Sequence, residues 1–242
     1  GLSMTFHNCT SFNNLVTFEE NAICVFFDEF FSNCTNYNRP VTFPDSIYNN
    51  VSYSKTFINC RSFNQHVIIG NGANYLGSMF SNCVFFNQEL FIPESVTSME
   101  YMFSNCVSFN CPVHIPNNVT TCRSMMEYCR NYNQITTIPD SVNRIDLIFY
   151  GCKNLATITF DDDIQLDIID NSAFNRCVGL TSICIPKDTN RIGTYVFVEC
   201  TNLSNIHFGG TVEQWNALPK GNYWNQNIPA TEVVCSDGVV KI

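Results

Sequence analysis

Nine cysteines recur along the chain at nearly constant spacing: Cys9, Cys34, Cys60, Cys83, Cys106, Cys129, Cys152, Cys177 and Cys200, separated by 25, 26, 23, 23, 23, 23, 25 and 23 residues. Each sits in the same frame, seen in Met79-Phe80-Ser81-Asn82-Cys83-Val84-Phe85-Phe86-Asn87 and again in Met102-Phe103-Ser104-Asn105-Cys106-Val107-Ser108-Phe109-Asn110. A repeat in the low twenties constrains a chain to stack short units side by side, each burying its apolar face only against its neighbours. The expected fold is therefore a repeat solenoid of about nine coils of 23–26 residues, mainly β with short helical or irregular segments.

One coil reads as a short strand, a proline turn, a second apolar segment and the Phe-x-x-Cys corner. Val41/Phe43, Val67/Ile69, Leu90/Ile92 and Val113/Ile115 alternate with outward neighbours, the period-2 signature of a strand with one buried face. Prolines 44, 93, 116, 139 and 186 follow these strands, where a missing amide donor costs no ladder bond. One strand per coil, stacked in register, predicts a parallel sheet on one side of the molecule.

The segment Ser172-Ala173-Phe174-Asn175-Arg176-Cys177-Val178-Gly179-Leu180-Thr181-Ser182-Ile183-Cys184-Ile185-Pro186 resembles the repeat of the BspA-like leucine-rich-repeat proteins, an Ala-Phe-x-x-Cys-x-x-Leu corner leading to an Ile-Pro turn. The tail from Gly209-Gly210-Thr211-Val212-Glu213-Gln214-Trp215 onward is similar to a segment that often closes such arrays. The resemblance implies surface display and binding, without naming a ligand. It divides the chain into a solenoid, residues 1–208, and a capping segment, residues 209–242. Within the solenoid two kinds of coil meet near residue 150: the earlier frames place an aromatic and an asparagine after the cysteine, from Phe12-Asn13 to Tyr132-Asn133, and the later ones place Leu155, Leu180 and Leu203 there. The asparagines are expected to form an internal ladder that satisfies backbone groups of adjacent coils. An exposed, ligand-binding asparagine stripe is the other reading.

Fourteen cysteines would suit a disulfide framework. Equivalent side chains of adjacent coils, however, lie about 4.8 Å apart with parallel vectors, which is poor geometry for a bridge. The frame cysteines are expected to be reduced, buried and packed as small hydrophobes. Only Cys24, Cys111, Cys122, Cys184 and Cys235 stand outside the frame and are free to pair in other ways.

The net charge of −9 argues against nucleic acid, whose phosphates need a basic stripe, and no apolar run of about 18 residues is present to insert into a membrane. Catalytic and metal constellations are not expected, nor any cofactor. The run Asp161-Asp162-Asp163 with Asp167 and Asp170 offers carboxylates to a hard cation, but lacks the alternating ligands and glycine of a calcium loop and reads as a solvated turn. Trp215 and Trp224 read as apolar cover for the last coil, or alternatively as sugar-stacking faces.

The candidate binding surface is the outward face of the sheet. Alternation assigns to it Thr42, His66, Ile68, Glu89, Phe91, His114, Thr137, Thr159, Cys184 and His207, with Ile68 beside Phe91 as a small apolar patch. The expected role is a non-enzymatic, adhesin-like module, extracellular or at the cell surface, that binds a protein or glycan. The alternative is a structural spacer or receptor-binding segment of a longer surface or virion tail-fibre protein. A monomer is expected, with end-to-end association through an uncapped first coil as a hazard.

Overall fold

The computed structural model describes residues 1–19, 26–46, 48, 50–160 and 166–242. The chain winds as a β-solenoid with very little regular secondary structure per turn. In chain order the elements are β1 (Val41–Thr42), β2 (Val51–Ser52), β3 (Val67–Ile68), β4 (Ala73–Tyr75), β5 (Thr137–Ile138), β6 (Thr159–Phe160), β7 (Ile168–Ile169), β8 (Ser182–Ile185), β9 (Arg191–Ile192), β10 (Asn205–Phe208), α1 (Val212–Ala217), β11 (Glu232–Val234) and β12 (Val239–Lys241).

The expected parallel sheet is present but discontinuous. β1 pairs with β3, β5 with β6, and β8 with β10, all parallel. Around Leu90–Ile92 and Val113–Ile115 no strand forms, although the burial alternation continues: Ile92, Val113 and Ile115 are buried while Phe91 and His114 are exposed. The prolines open turns rather than extend strands, since the amides of Val96, Val119 and Val142 donate to the carbonyls of Pro93, Pro116 and Pro139 at 3.0–3.1 Å.

Two strand columns run down the molecule where sequence reasoning expected one. β2 pairs with β4, β7 with β9, and parallel bridges link Phe26 to Ser52, Tyr75 to Ser98, Ser98 to Thr121 and Thr121 to Arg144. The period-2 pattern is only one or two residues long here, too short to be read as a strand.

The corner between the columns is a stack of turns. In one coil the amides of Ser81 and Cys83 close turns onto the carbonyls of Ser78 and Phe80, at 3.1 and 2.9 Å. The amides of Ser78, Phe80 and Asn82 reach instead across to Glu100, Met102 and Ser104 of the next coil, at 2.8–2.9 Å. Alternate amides thus serve turn and ladder, which leaves the buried corner well satisfied. Closing such turns requires left-handed backbone twice per coil, as at Ser78 (φ 56°) and Asn82 (φ 62°). Asparagine tolerates that region better than most residues, which explains the Asn preceding Cys34, Cys60, Cys83 and Cys106.

Aromatic side chains fill the core in two stacks. Phe6, Phe31, Phe57, Phe80 and Phe103 lie 5.3–5.8 Å apart, nearly parallel. Phe12, Tyr37, Phe63, Phe86, Phe109 and Tyr132 form the second stack at 5.7–6.0 Å. Offset stacking at such spacing adds to the area these rings bury.

Candidate functional site

The frame cysteines are built into the ladder of the corner. From Cys34 to Cys200 each thiol donates to a carbonyl of the preceding coil, among them Cys60 to Phe31, Cys83 to Phe57, Cys106 to Phe80 and Cys129 to Phe103, at 2.9–3.0 Å. Burial pushes the thiols up, Cys34 to about 11 and Cys200 to about 12, with Cys83, Cys106, Cys152 and Cys177 well above their ordinary value. A thiol held neutral and hydrogen-bonded is neither a nucleophile nor a metal ligand. Cys9 departs from the expectation of burial: it is exposed. Among the described residues no cysteine is bridged; Cys111 is half-buried, Cys122 and Cys235 are buried and Cys184 is exposed. Cys24 lies outside the described residues, as do Asp161, Asp162 and Asp163.

The asparagines after the cysteine form a side-chain-to-backbone ladder. The Oδ1 atoms of Asn13, Asn38, Asn64, Asn87 and Asn110 accept from the backbone N–H of the asparagine one coil on, at 2.8–2.9 Å. Asn133 ends the series by accepting from Ala156 at 3.0 Å. Their acceptors are spoken for, so this stripe is structural. A second ladder, not foreseen from the sequence, joins side chain to side chain through Asn8, Asn33, Asn59 and Asn82 at 2.7–2.9 Å. The recurring Asn-Cys pair was its signal.

The sheet-face residues project from one column. Asn64, Asn87, Asn110 and Asn133 are locked one above another, so Ile68, Phe91, His114 and Thr137, each four residues further on, occupy equivalent places in successive coils. Thr42 stands opposite Ile68, Thr137 opposite Thr159 and Cys184 opposite His207 in the strand register. All of these residues are exposed, as are His66 and Glu89 in the parallel column. The two threonine hydroxyls of Thr137 and Thr159 lie 3.2 Å apart, and His114 Nε2 is 3.0 Å from Glu94 Oε1. The histidines are not brought together, and the described residues contain no group of three or more side chains suited to a metal ion.

Two features of this face were missed. Ile135, 71% exposed, stands in the column of His66 and Glu89, two coils beyond Phe91 (76%) and three beyond Ile68 (59%), so the face carries a further exposed apolar side chain apart from that pair. Hydropathy hid it: in Ile135-Thr136-Thr137-Ile138 the outward position holds the isoleucine and the inward one holds Thr136, which is hydrogen-bonded with Tyr132 Oη. Next to Thr42 and Ile68, a cleft of about 470 Å³ opens between Leu15–Phe18 and Pro40–Pro44. Neither tryptophan offers an open face for a sugar: Trp215 packs on Phe208 and Trp224, and Trp224 on Phe197, and both are buried.

The model of the BspA type leucine-rich repeat region matches residues 123–228 in six copies. A second model, described as "Mycoplasma protein of unknown function, DUF285", matches residues 1–90 and 71–161. The chain belongs to the family of that second model, which spans residues 1–161, and it carries BspA-type leucine-rich repeats over residues 123–228. No curated protein matches it. Among solved structures, a leucine-rich repeat protein from Bacteroides ovatus ATCC 8483 is similar at 24% identity and a TM-score of 0.65, over 79% of this chain and 50% of its own. The T. pallidum leucine-rich repeat protein is similar at 19% identity and a TM-score of 0.53, over 69% of this chain and 78% of its own. These likenesses are of fold. The BspA-type chain spans half the length of the Bacteroides ovatus protein. Among the described residues no helix is long and apolar enough to cross a membrane.

Proposed function

We propose that this BspA-type chain is a non-enzymatic binding module of a secreted or cell-surface protein, and that it engages a protein or glycan through the outward face of its parallel sheet. The observation that carries this reading is the exposed apolar pair Ile68 and Phe91 on adjacent coils, set among hydroxyls and imidazoles, with Ile135 exposed two coils further along the same face. Large apolar side chains grouped on a surface cost solubility, and such patches mark interaction sites. The cleft beside Thr42 offers an anchor pocket at one end of the same face. Residues 209–242 serve in this reading as the closing segment, with α1 capped by Thr211 and Trp215 laid over the last coils. The module acts as a monomer; end-to-end association through Leu2, Phe6 and Phe12 is the alternative that light scattering distinguishes.

The test is binding of the chain to an array of glycans and extracellular-matrix proteins, beside a variant with His66, Ile68, Phe91 and His114 changed to serine. Binding that the variant loses, at an unchanged melting temperature, supports the reading. Absence of binding, or binding that the variant retains, replaces it with a structural spacer.

A further inference from the structure

The turn corner carries a cationic cleft that the sheet-face reading does not use. It measures about 340 Å³, within the size range of small-ligand sites, and lies where the residues beside the frame cysteines of four coils meet. Arg130, Lys153 and Arg176 line it, all three exposed. Arg130 and Lys153 follow Cys129 and Cys152 directly, so they sit side by side on adjacent coils, about 4.8 Å apart along the stack. The lysine and arginine ion pairs among the described residues use Lys55, Arg123, Arg144 and Lys241, and none uses these three. Glu199, the carboxylate at the rim, is turned to another partner, accepting from Asn227 Nδ2 at 2.6 Å. Three cations beside one carboxylate leave the cleft net positive, which is conspicuous in a chain with 12 basic against 21 acidic residues.

The cleft also has an aromatic wall. At the left-handed position before the cysteine, other coils carry Asn105, Tyr128, Arg176 or Glu199, whereas this one carries Gly151 (φ 73°). A Cβ there would come within 2.7 Å of Tyr128 Cδ1, so the glycine is what lets the Tyr128 ring lie against the corner. Tyr128 meets Tyr150 edge to face at 5.0 Å, and the Arg176 guanidinium lies 5.9 Å over the Tyr150 ring.

We propose that this cleft binds the anionic group of an acidic sugar, a carboxylate or sulfate carried on a saccharide ring. Guanidinium forks match such oxyanions, and the tyrosine ring offers an apolar face with a polar tip to the ring of the sugar. An extended peptide is less suited, because the main chain offers no edge here: the amides of Tyr128, Gly151 and Arg176 already donate to Tyr150, Asn175 and Val198 at 2.7–2.8 Å. Nucleic acid needs a basic stripe that contacts many phosphates, longer than these three side chains provide.

The test is calorimetric titration of the whole chain with a heparin-derived tetrasaccharide, a galacturonate tetramer and neutral lactose, and with a poly-glutamate peptide. The sulfated and carboxylated probes separate the two sources of the anion. At least one is expected to bind about tenfold or more tightly than lactose, a difference of about 1.4 kcal/mol. The Arg130→Gln/Lys153→Gln/Arg176→Gln variant is expected to lose about tenfold in affinity, and Gly151→Ala to weaken binding by displacing Tyr128. A charge-matched control, Arg61→Gln/Lys187→Gln/Arg191→Gln, is expected to bind as the parent does, and melting temperatures establish that each variant is folded. The proposal is overturned if neither acidic sugar binds at millimolar concentration, if the control loses as much as the cleft variant, or if poly-glutamate binds more tightly than both sugars. Because no sheet-face residue is changed, the result stands apart from the fate of that surface.

Discussion

A frame cysteine is a small apolar side chain and a hydrogen-bond donor at once, and both roles depend on its proton. Cys34 and Cys200, raised to about 11 and about 12 from 9.0, remain neutral in the folded protein where the unfolded chain ionises. Stability is therefore full below pH 9 and falls as pH rises from there through the folded values, because only the unfolded state gains from losing the proton. Urea midpoints are expected to drop between pH 9 and 11, less steeply in a Cys34→Ala/Cys200→Ala variant; a flat profile would contradict this. A thiol reagent applied to the folded chain is expected to mark Cys9 and Cys184, Cys111 more slowly, and none of Cys60, Cys83 or Cys106, as read by mass spectrometry. At Asn64, whose Oδ1 accepts from both Asn87 N–H and Gln88 Nε2 at 2.9 and 3.0 Å, alanine strands a backbone donor and costs about 1 kcal/mol. Aspartate keeps the acceptor and costs less, a difference that thermal unfolding resolves. The periodicity of cysteine and asparagine was legible in the sequence, and so was their use as packing and ladder groups. Which carbonyl each thiol finds was not, since that partner belongs to the coil before and depends on how the coils stack.

At the level of the element, the outward and inward sides of the sheet followed from alternation alone, because a pleated chain sends successive side chains to opposite faces. The second strand column and the stacked turns did not. Their residues spend alternate amides on turn and ladder, a pattern with no hydrophobic period to read. The left-handed positions left a trace only where asparagine fills them; elsewhere Ser78, Tyr101 and Tyr195 take the same backbone at φ 56°, 56° and 59°. Such residues carry strain of about 1 kcal/mol, so Ser78→Gly is expected to hold or raise the melting temperature and Ser78→Val to lower it. The reverse order would mean that the turn is not left-handed in solution. Ile135 shows the limit of hydropathy rather than of alternation: the outward register of Thr137 also sends Ile135 outward and Thr136 inward, so an apolar side chain is exposed and a polar one, hydrogen-bonded with Tyr132 Oη, is buried.

The whole molecule is a line of coils that touch only their neighbours, so its stability is a sum of coil and interface contributions. Removing residues 84–106 joins Cys83 to Val107-Ser108-Phe109-Asn110 and restores the frame. This shortened chain is expected to fold with an unchanged circular dichroism shape and a lower melting temperature, whereas removing residues 84–95 breaks register and is expected to abolish cooperative unfolding. Survival of the second deletion would show that the coils are not coupled in register. The repeat length, the buried faces and the membership of a solenoid class were determined by the sequence, because a periodic chain can bury a periodic apolar face in few ways. The tertiary structure alone decided what else sits next to what across coils: the cleft beside Thr42 and the cationic cleft at Gly151. Those groupings join residues 23 or more positions apart, and their chemistry arises from stacking offsets and from one missing side chain rather than from any local pattern.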